Sequence, residues 1–159
     1  GGGNFYNSVI DSCSARVCGG FFDQLWKPSI RNVHNTLFIN NSAIERTAAY
    51  CAFHIMHQSK FSNCAFILNQ LHSSSSLIRA KDIYVESIDS QVDIDNCFFD
   101  DVYEKSIAIR FDFSKVVLGD NNTFVDPQSN KVNLSIIQSF KLNPPQRPKI
   151  TSSQKKKQS

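Results

Sequence analysis

The chain has 159 residues, 17 of them Lys or Arg and 14 Asp or Glu, which is enough for one domain with a continuous core. Residues 141 to 159 hold six cations and no acid, so of the net charge of +3 the preceding body carries −3. That division argues against a nucleic-acid-binding body, and the absence of any run of about 18 apolar residues excludes a membrane-spanning helix.

In chain order, the sequence repeats one cassette: Asn, a small residue, any residue, Phe. A degenerate copy ends at Phe5, and the first clear one is Asn35-Thr36-Leu37-Phe38. Asn63-Cys64-Ala65-Phe66, Asn96-Cys97-Phe98-Phe99 and the looser Asn121-Asn122-Thr123-Phe124 follow. The asparagines are 28, 33 and 25 residues apart, a spacing typical of stacked-repeat architectures whose units bury their apolar faces only against neighbours. Val33, Phe61 and Ile94 each lie two residues before the Asn, which suggests an apolar strand entering the turn.

A second strand is expected in each unit. The segments are Gly20-Phe21-Phe22, Ala52-Phe53-His54-Ile55, Ile83-Tyr84-Val85, Ile107 to Phe113, and Val132-Asn133-Leu134-Ser135-Ile136. Ile107, Ile109, Phe111 and Phe113 alternate with polar or small residues, the period of a half-buried strand, and no segment has the pattern of an amphipathic helix. The predicted fold is therefore all-β: a right-handed, single-stranded parallel β-helix of about five coils over residues 1–142. A disordered Pro- and Lys-rich tail occupies residues 143–159. Because the chain opens on Gly1 within a unit, it is expected to be truncated at its N-terminus, with an open first coil that associates end to end.

The stack explains the residue choices. Asn35, Asn63, Asn96 and Asn121 are expected to form an amide ladder at left-handed turns, and Phe38, Phe66, Phe99 and Phe124 an aromatic column. Asn63→Ala should then destabilise more than Asn69→Ala. Cys64 and Cys97 share the small inward slot of Thr36 and read as core residues, with a bridge between adjacent coils the alternative in a secreted protein, while Cys13 and Cys18 are better placed for a disulfide in an oxidising compartment.

The residues resemble a known family at this point. Phe38-Ile39-Asn40-Asn41 and Phe66-Ile67-Leu68-Asn69 match a Phe-x-x-Asn motif, with Phe98-Phe99-Asp100-Asp101 a near match. Gly19-Gly20-Phe21-Phe22 is similar to a Gly-Gly-Ala-Ile motif, which later units replace with residues such as Ala49 and Ala52. Both motifs characterise the repeats of chlamydial polymorphic outer membrane proteins and of large protist surface proteins, and the resemblance runs from about Gly1 to Phe124. It implies a right-handed β-helix and a surface-displayed or secreted, adhesin-like stalk, with no catalytic site or cofactor carried over. The partners it suggests are glycans or cell-surface proteins, met by loops such as Trp26-Lys27-Pro28 and Ser73-Ser74-Ser75-Ser76. Sequons at Asn40, Asn121 and Asn133 fit an extracellular surface.

Three constellations could carry chemistry. Cys51-x-x-His54-x-x-His57 has zinc-ligand residue types, but odd separations on a strand alternate faces and do not converge. Asp93, Asp95, Asp100, Asp101 and Glu104 lack a glycine-containing calcium loop and read as a solvated acidic face. Asp95, Arg110 and Asp112 are the outward-facing residues of the alternative reading, a polysaccharide lyase or glycoside hydrolase-like enzyme, which needs two carboxylates about 5–9 Å apart.

Overall fold

The computed structural model describes residues 3–25, 29–55, 57–72, 78–110 and 113–125. They form a parallel β-solenoid of four turns and the first two strands of a fifth, against the five coils expected. The first coil holds β1 (Gly3–Tyr6), β2 (Val9–Asp11), β3 (Ser14–Ala15) and β4 (Phe21–Leu25). The second holds β5 (Ser29–His34), β6 (Leu37–Ile39), β7 (Ser42–Ala43) and β8 (Tyr50–Ile55). In the third are β9 (His57–Ser62), β10 (Ala65–Ile67), β11 (Gln70–Leu71) and β12 (Ile83–Ile88). The fourth has β13 (Gln91–Asp95), β14 (Phe98–Phe99), the one-turn helix α1 (Tyr103–Ser106) and β15 (Ile107–Arg110); β16 (Lys115–Leu118) and β17 (Thr123–Phe124) open the fifth.

Like strands of successive coils pair in parallel into four sheets, ordered β1-β5-β9-β13-β16, β2-β6-β10-β14-β17, β3-β7-β11 and β4-β8-β12-β15. Helix α1, which the sequence pattern does not announce, stands between β14 and β15, so the third sheet ends at β11. Tyr103 on it packs edge-on against Phe124, 5.5 Å between ring centres. The expected strand at residues 132–136, the loops at 26–28 and 73–76, and the tail at 143–159 lie outside the described residues.

Register stacks the cassette as expected. Phe38 pairs with Phe66, Phe66 with Phe99 and Phe99 with Phe124. Their ring centres are 4.8, 4.8 and 4.7 Å apart, with planes within 5° of parallel. That separation is the ordinary distance between neighbouring strands, so the backbone ladder sets the aromatic stacking. The first copy needs correction: Phe5 pairs with Val33, and Ile10 occupies the Phe slot below Phe38, so the first cassette is Asn7-Ser8-Val9-Ile10.

Both corners flanking the second sheet turn on left-handed residues. At the first, Asn7, Asn35, Asn63, Asn96 and Asn121 have φ of 50°, 49°, 53°, 50° and 61°. At the second, Ser12, Asn40 and Leu68 have φ of 57°, 55° and 56°. Asn reaches this region at lower cost than most side chains, because its short amide can bond locally. Leu68 has no such help, and its N–H is held instead by the Asp100 carboxylate at 2.6 Å.

A left-handed residue shifts the strand's alternation, so the side chain after it turns inward. Thr36, Cys64 and Cys97 are buried behind the first corner; Asn41 and Asn69 are buried behind the second. Two asparagine ladders result. The outer one runs Nδ2 to Oδ1 from Asn35 to Asn7 (2.7 Å), Asn63 to Asn35 (3.1 Å) and Asn96 to Asn63 (3.3 Å), with Asn63 and Asn96 exposed. Asn121 makes the turn but does not join the chain of bonds among the described residues.

The inner ladder is dry. Asn69 Oδ1 accepts from both the backbone N–H and the Nδ2 of Asn41, and Asn69 Nδ2 donates to Phe38 O and to Asp82 Oδ1, all at 3.0–3.1 Å. Asn41 Oδ1 in turn accepts from the Cys13 backbone N–H at 3.0 Å.

The rest of the core is apolar: Val33, Tyr50, Phe61, Ile83, Val85, Val92 and Ile94 join the Phe column. Phe113 does not enter it. It is 86% exposed with φ of 67°, which breaks the alternation expected to run through it from Ile107. Cys18 bonds to Cys51, with their Cα atoms 5.8 Å apart, rather than to Cys13, which is free. Cys64 and Cys97 are free thiols in the core.

Burial reverses the order of effect expected for the two asparagines. Removing Asn69 leaves several buried groups without a partner, whereas water replaces the bonds of Asn63. Asn69→Ala should cost about 3 kcal/mol and Asn63→Ala about 1 kcal/mol. Chemical denaturation of both variants measures this, and equal losses would refute the inner ladder's dominance.

Candidate functional site

The fourth sheet has one face in the core and one facing out. Ile83 and Val85 of β12 point inward, so Tyr84 and Glu86 point outward, as do Phe22 and Gln24 of β4, Cys51 and Phe53 of β8, and Arg110 of β15. These residues form two outward columns: Phe22, Cys51, Tyr84, Ala108, and Gln24, Phe53, Glu86, Arg110.

The turn before β4 forms a wall beside this face. Gly19 and Gly20 let the chain lie against the next coil: a Cβ on Gly19 would come within 2.2 Å of Ser42 O, and one on Gly20 within 2.5 Å of Ala49 O. Their N–H groups donate to Thr47 O (3.0 Å) and Ala48 O (2.7 Å). The Cys18–Cys51 disulfide then ties this turn to β8. Between wall and sheet lies a groove of about 540 Å³ lined by Ala15, Arg16, Val17, Cys18, Phe22, Gln24 and Phe53. Phe22 is 48% exposed and meets Phe53 edge-on at 5.5 Å. Phe53 in turn meets Tyr84 at 5.9 Å, a ring on the same side of the sheet that is fully covered.

A charged cluster lies beyond the groove. Tyr84 donates its hydroxyl to Glu86 Oε2 at 2.6 Å, and Arg110 donates to Glu86 Oε1 at 2.9 Å. The Arg46 guanidinium lies over the Tyr84 ring at 5.5 Å and is anchored on Ile78 O. Burial and the adjoining Glu86 carboxylate push the Tyr84 phenol up to about 12, so it stays a donor at neutral pH. At the other margin Arg16 pairs with Glu45 at 2.6 Å.

Of the enzyme reading's residues, the two that are described, Asp95 and Arg110, do not converge. Arg110 belongs to the Glu86 cluster on the fourth sheet. Asp95 is exposed at the end of β13 in the first sheet, the end away from the corner that joins β13 to β12. Asp112 lies outside the described residues. Of the acidic run, Asp95 and Glu104 are exposed as expected of a solvated face, whereas Asp93, Asp100 and Asp101 are half-buried and bonded. Lys81 pairs with Asp100 and, at 3.5 Å, with Asp101, and Asp100 also holds the Leu68 turn. Asp93 accepts from Gln91 at 2.6 Å.

Cys51 is bound in the disulfide and so is not a thiolate ligand; of the His54 and His57 side chains nothing is described. No group of three or more His, Cys, Asp or Glu suited to a metal ion occurs among the described residues, nor any helix long and apolar enough to cross a membrane. Asn40 and Asn121 of the sequons are exposed, and Asn133 lies outside the described residues.

Sequence reasoning missed Phe22, Phe53, Tyr84, Arg46 and Glu86 as one surface. The alternation in Ile83-Tyr84-Val85-Glu86 was the available signal for two of them, Tyr84 and Glu86. It also missed Asp82, fully buried, whose carboxyl burial raises to about 7 against the pull of Lys81 and Asn69. No family model, curated protein or solved structure matches the chain.

Asp82 makes stability depend on pH. Its carboxyl sits near 7 in the fold against an ordinary 3.8, so the folded state binds the proton more tightly. The stabilisation this gives is complete below about pH 4 and is lost as pH rises through about 7. Relative to wild type, Asp82→Asn should therefore gain in Tm between about pH 4 and about pH 8. Parallel Tm profiles for the two proteins would refute it.

Proposed function

We propose that this chain is a non-catalytic repeat segment of a surface or secreted, adhesin-like protein. It acts as a rigid scaffold whose partner-facing surface is the groove on the fourth sheet, and the partner is a glycan. The observation that carries this reading is the pair of rings at the groove floor on the outer face of the fourth sheet, Phe22 exposed and Phe53 half-buried beside it. An aromatic ring flanked by a side-chain amide and a guanidinium, here Gln24 and Arg16, suits the apolar face and hydroxyl rim of a sugar.

Other features support a location outside the cytosol. The Cys18–Cys51 bridge suits an oxidising compartment, and the sequon asparagines Asn40 and Asn121 are exposed. The resemblance to polymorphic outer membrane protein repeats belongs to the same reading, as does end-to-end association of copies.

Screening the purified chain against immobilised glycans tests the reading. Binding is expected, with Phe22→Ala and Phe53→Ala each weakening it about tenfold or more while Tm changes little for Phe22→Ala, whose ring is half exposed. Failure to bind any glycan, with capture of a cell-surface protein through the same two residues, would replace the glycan by a protein partner. Turnover of a polysaccharide would overturn the non-catalytic reading.

A further inference from the structure

The slot behind the first corner carries the same bond in four successive coils. It is filled by Ser8, Thr36, Cys64 and Cys97, and by Asn122 in the fifth. In the first four the side chain donates to the backbone oxygen two residues earlier. Ser8 reaches Tyr6 O at 3.0 Å, Thr36 reaches His34 O at 3.1 Å, and Cys64 and Cys97 reach Ser62 O and Asp95 O, each at 3.3 Å. A hydroxyl therefore meets the local need of this turn, and sulfur stands in the slot in two successive coils only.

Those two coils are in register. Ala65 pairs with Phe98, and Cys64 O accepts the Phe98 N–H at 2.9 Å, so Cys64 and Cys97 stand side by side just before β10 and β14. Neighbouring strands are about 4.8 Å apart, inside the range of about 4.4–6.8 Å between Cα atoms that a disulfide spans. The two thiols also meet in a side-chain hydrogen bond. Burial and then this bond push Cys64 up, while the same bond pulls Cys97 below the ordinary thiol range. Both sulfurs are covered among Phe66 and Phe99, yet they lie one residue behind the exposed Asn63 and Asn96. Cys13, the remaining free thiol, belongs to the first coil.

We propose that Cys64 and Cys97 are an oxidation site that closes into a second bridge between coils, joining the third to the fourth as Cys18–Cys51 joins the first to the second. Each pair is separated by 33 residues. The oxidant is hydrogen peroxide, small enough to reach covered sulfur. The Cys97 thiolate attacks one peroxide oxygen: the S–O bond forms, the O–O bond breaks, and the leaving hydroxide takes up the proton that Cys97 lost. Cys97 is then a sulfenic acid. The Cys64 sulfur attacks it, the S–S bond forms, the S–O bond breaks, and the departing hydroxide leaves as water with the Cys64 proton. Two thiols and one peroxide give one disulfide and two waters, each sulfur losing one electron and each peroxide oxygen gaining one. The inference is independent of the groove and its ligand.

Peroxide treatment of the full chain carrying Cys13→Ser, whose free thiols are then these two, tests it. The peroxide is destroyed with catalase before the chain is unfolded, so that only chemistry of the folded protein is read. Thiol counting in denaturant should fall from two to none, and a non-reducing peptide map should show Cys64 joined to Cys97. Cys64→Thr and Cys97→Thr, made in the same background, keep the slot's bond as Thr36 does, and an unchanged Tm certifies their fold. Neither can bridge. In Cys64→Thr the Cys97 sulfenic acid should accumulate and be trapped by dimedone, about tenfold or more above any label on Cys64 in Cys97→Thr.

Two thiols persisting in excess peroxide would overturn the site. So would oxidation of either sulfur past the sulfenic level without a linking peptide. A dimedone label on Cys64 in Cys97→Thr, with none on Cys97 in Cys64→Thr, would overturn the order of attack.

Discussion

Parallel pairing at the spacing of one strand is the constraint from which the rest of this molecule follows. A residue in one coil has its counterpart about 4.8 Å away in the next, so every side chain must be compatible with something close to itself. Aromatic rings meet this by lying flat on one another, as Phe38, Phe66, Phe99 and Phe124 do. Asparagines meet it because one amide carries both a donor and an acceptor. A carboxylate cannot, since its copy repels it, and the interior acids are single: Asp82 is met by Asn69, and Asp23 by Arg31 through two bonds of 2.7 and 2.8 Å.

The same constraint sorts polar groups into two regimes. The outer ladder is in contact with water, which competes for its bonds, so it directs the turn more than it stabilises the fold. The inner ladder of Asn41 and Asn69 has no such competitor and satisfies backbone groups of the neighbouring strands. Its continuation in the fourth coil is Val102, the position after the second corner, and there the strand of the third sheet gives way to α1. Lys81, Asp100 and Asp101 gather at this break.

Where the sequence was legible, residue type and backbone need coincide. Left-handed turns call for Asn, and the aromatic slot calls for Phe, so three cassettes and their register could be read directly. The first copy was misplaced because Ile10 fills the aromatic slot, which left Phe5 as the visible ring. Which asparagine is buried was not legible, because a left-handed residue resets the alternation: Asn63 makes the corner, while Asn69 follows one made by Leu68. The disulfide was misjudged on sequence proximity. Cys18 forms a bridge pair with Thr47 of the next coil, and Cys51 lies four residues further along that coil.

The groove was illegible for a related reason. Phe22, Phe53 and Tyr84 belong to three coils, and Phe21 and Phe22 are adjacent in sequence but face opposite ways. Only the register decides which ring serves the core. Phe21 stacks on Tyr50 at 5.7 Å inside, while Phe22 is left on the outer face above Cys51. An outward aromatic column has no core to fill, and a lone exposed ring on a soluble surface is common. What distinguishes this one is the wall. Gly19 and Gly20 permit a backbone approach that no side chain would allow, and the disulfide fixes the resulting turn at the margin of the rings. This concave aromatic surface, held by covalent and steric means on one side of the solenoid, is the feature on which the proposed glycan-binding role rests, and its position on the outer face leaves the internal ladders undisturbed.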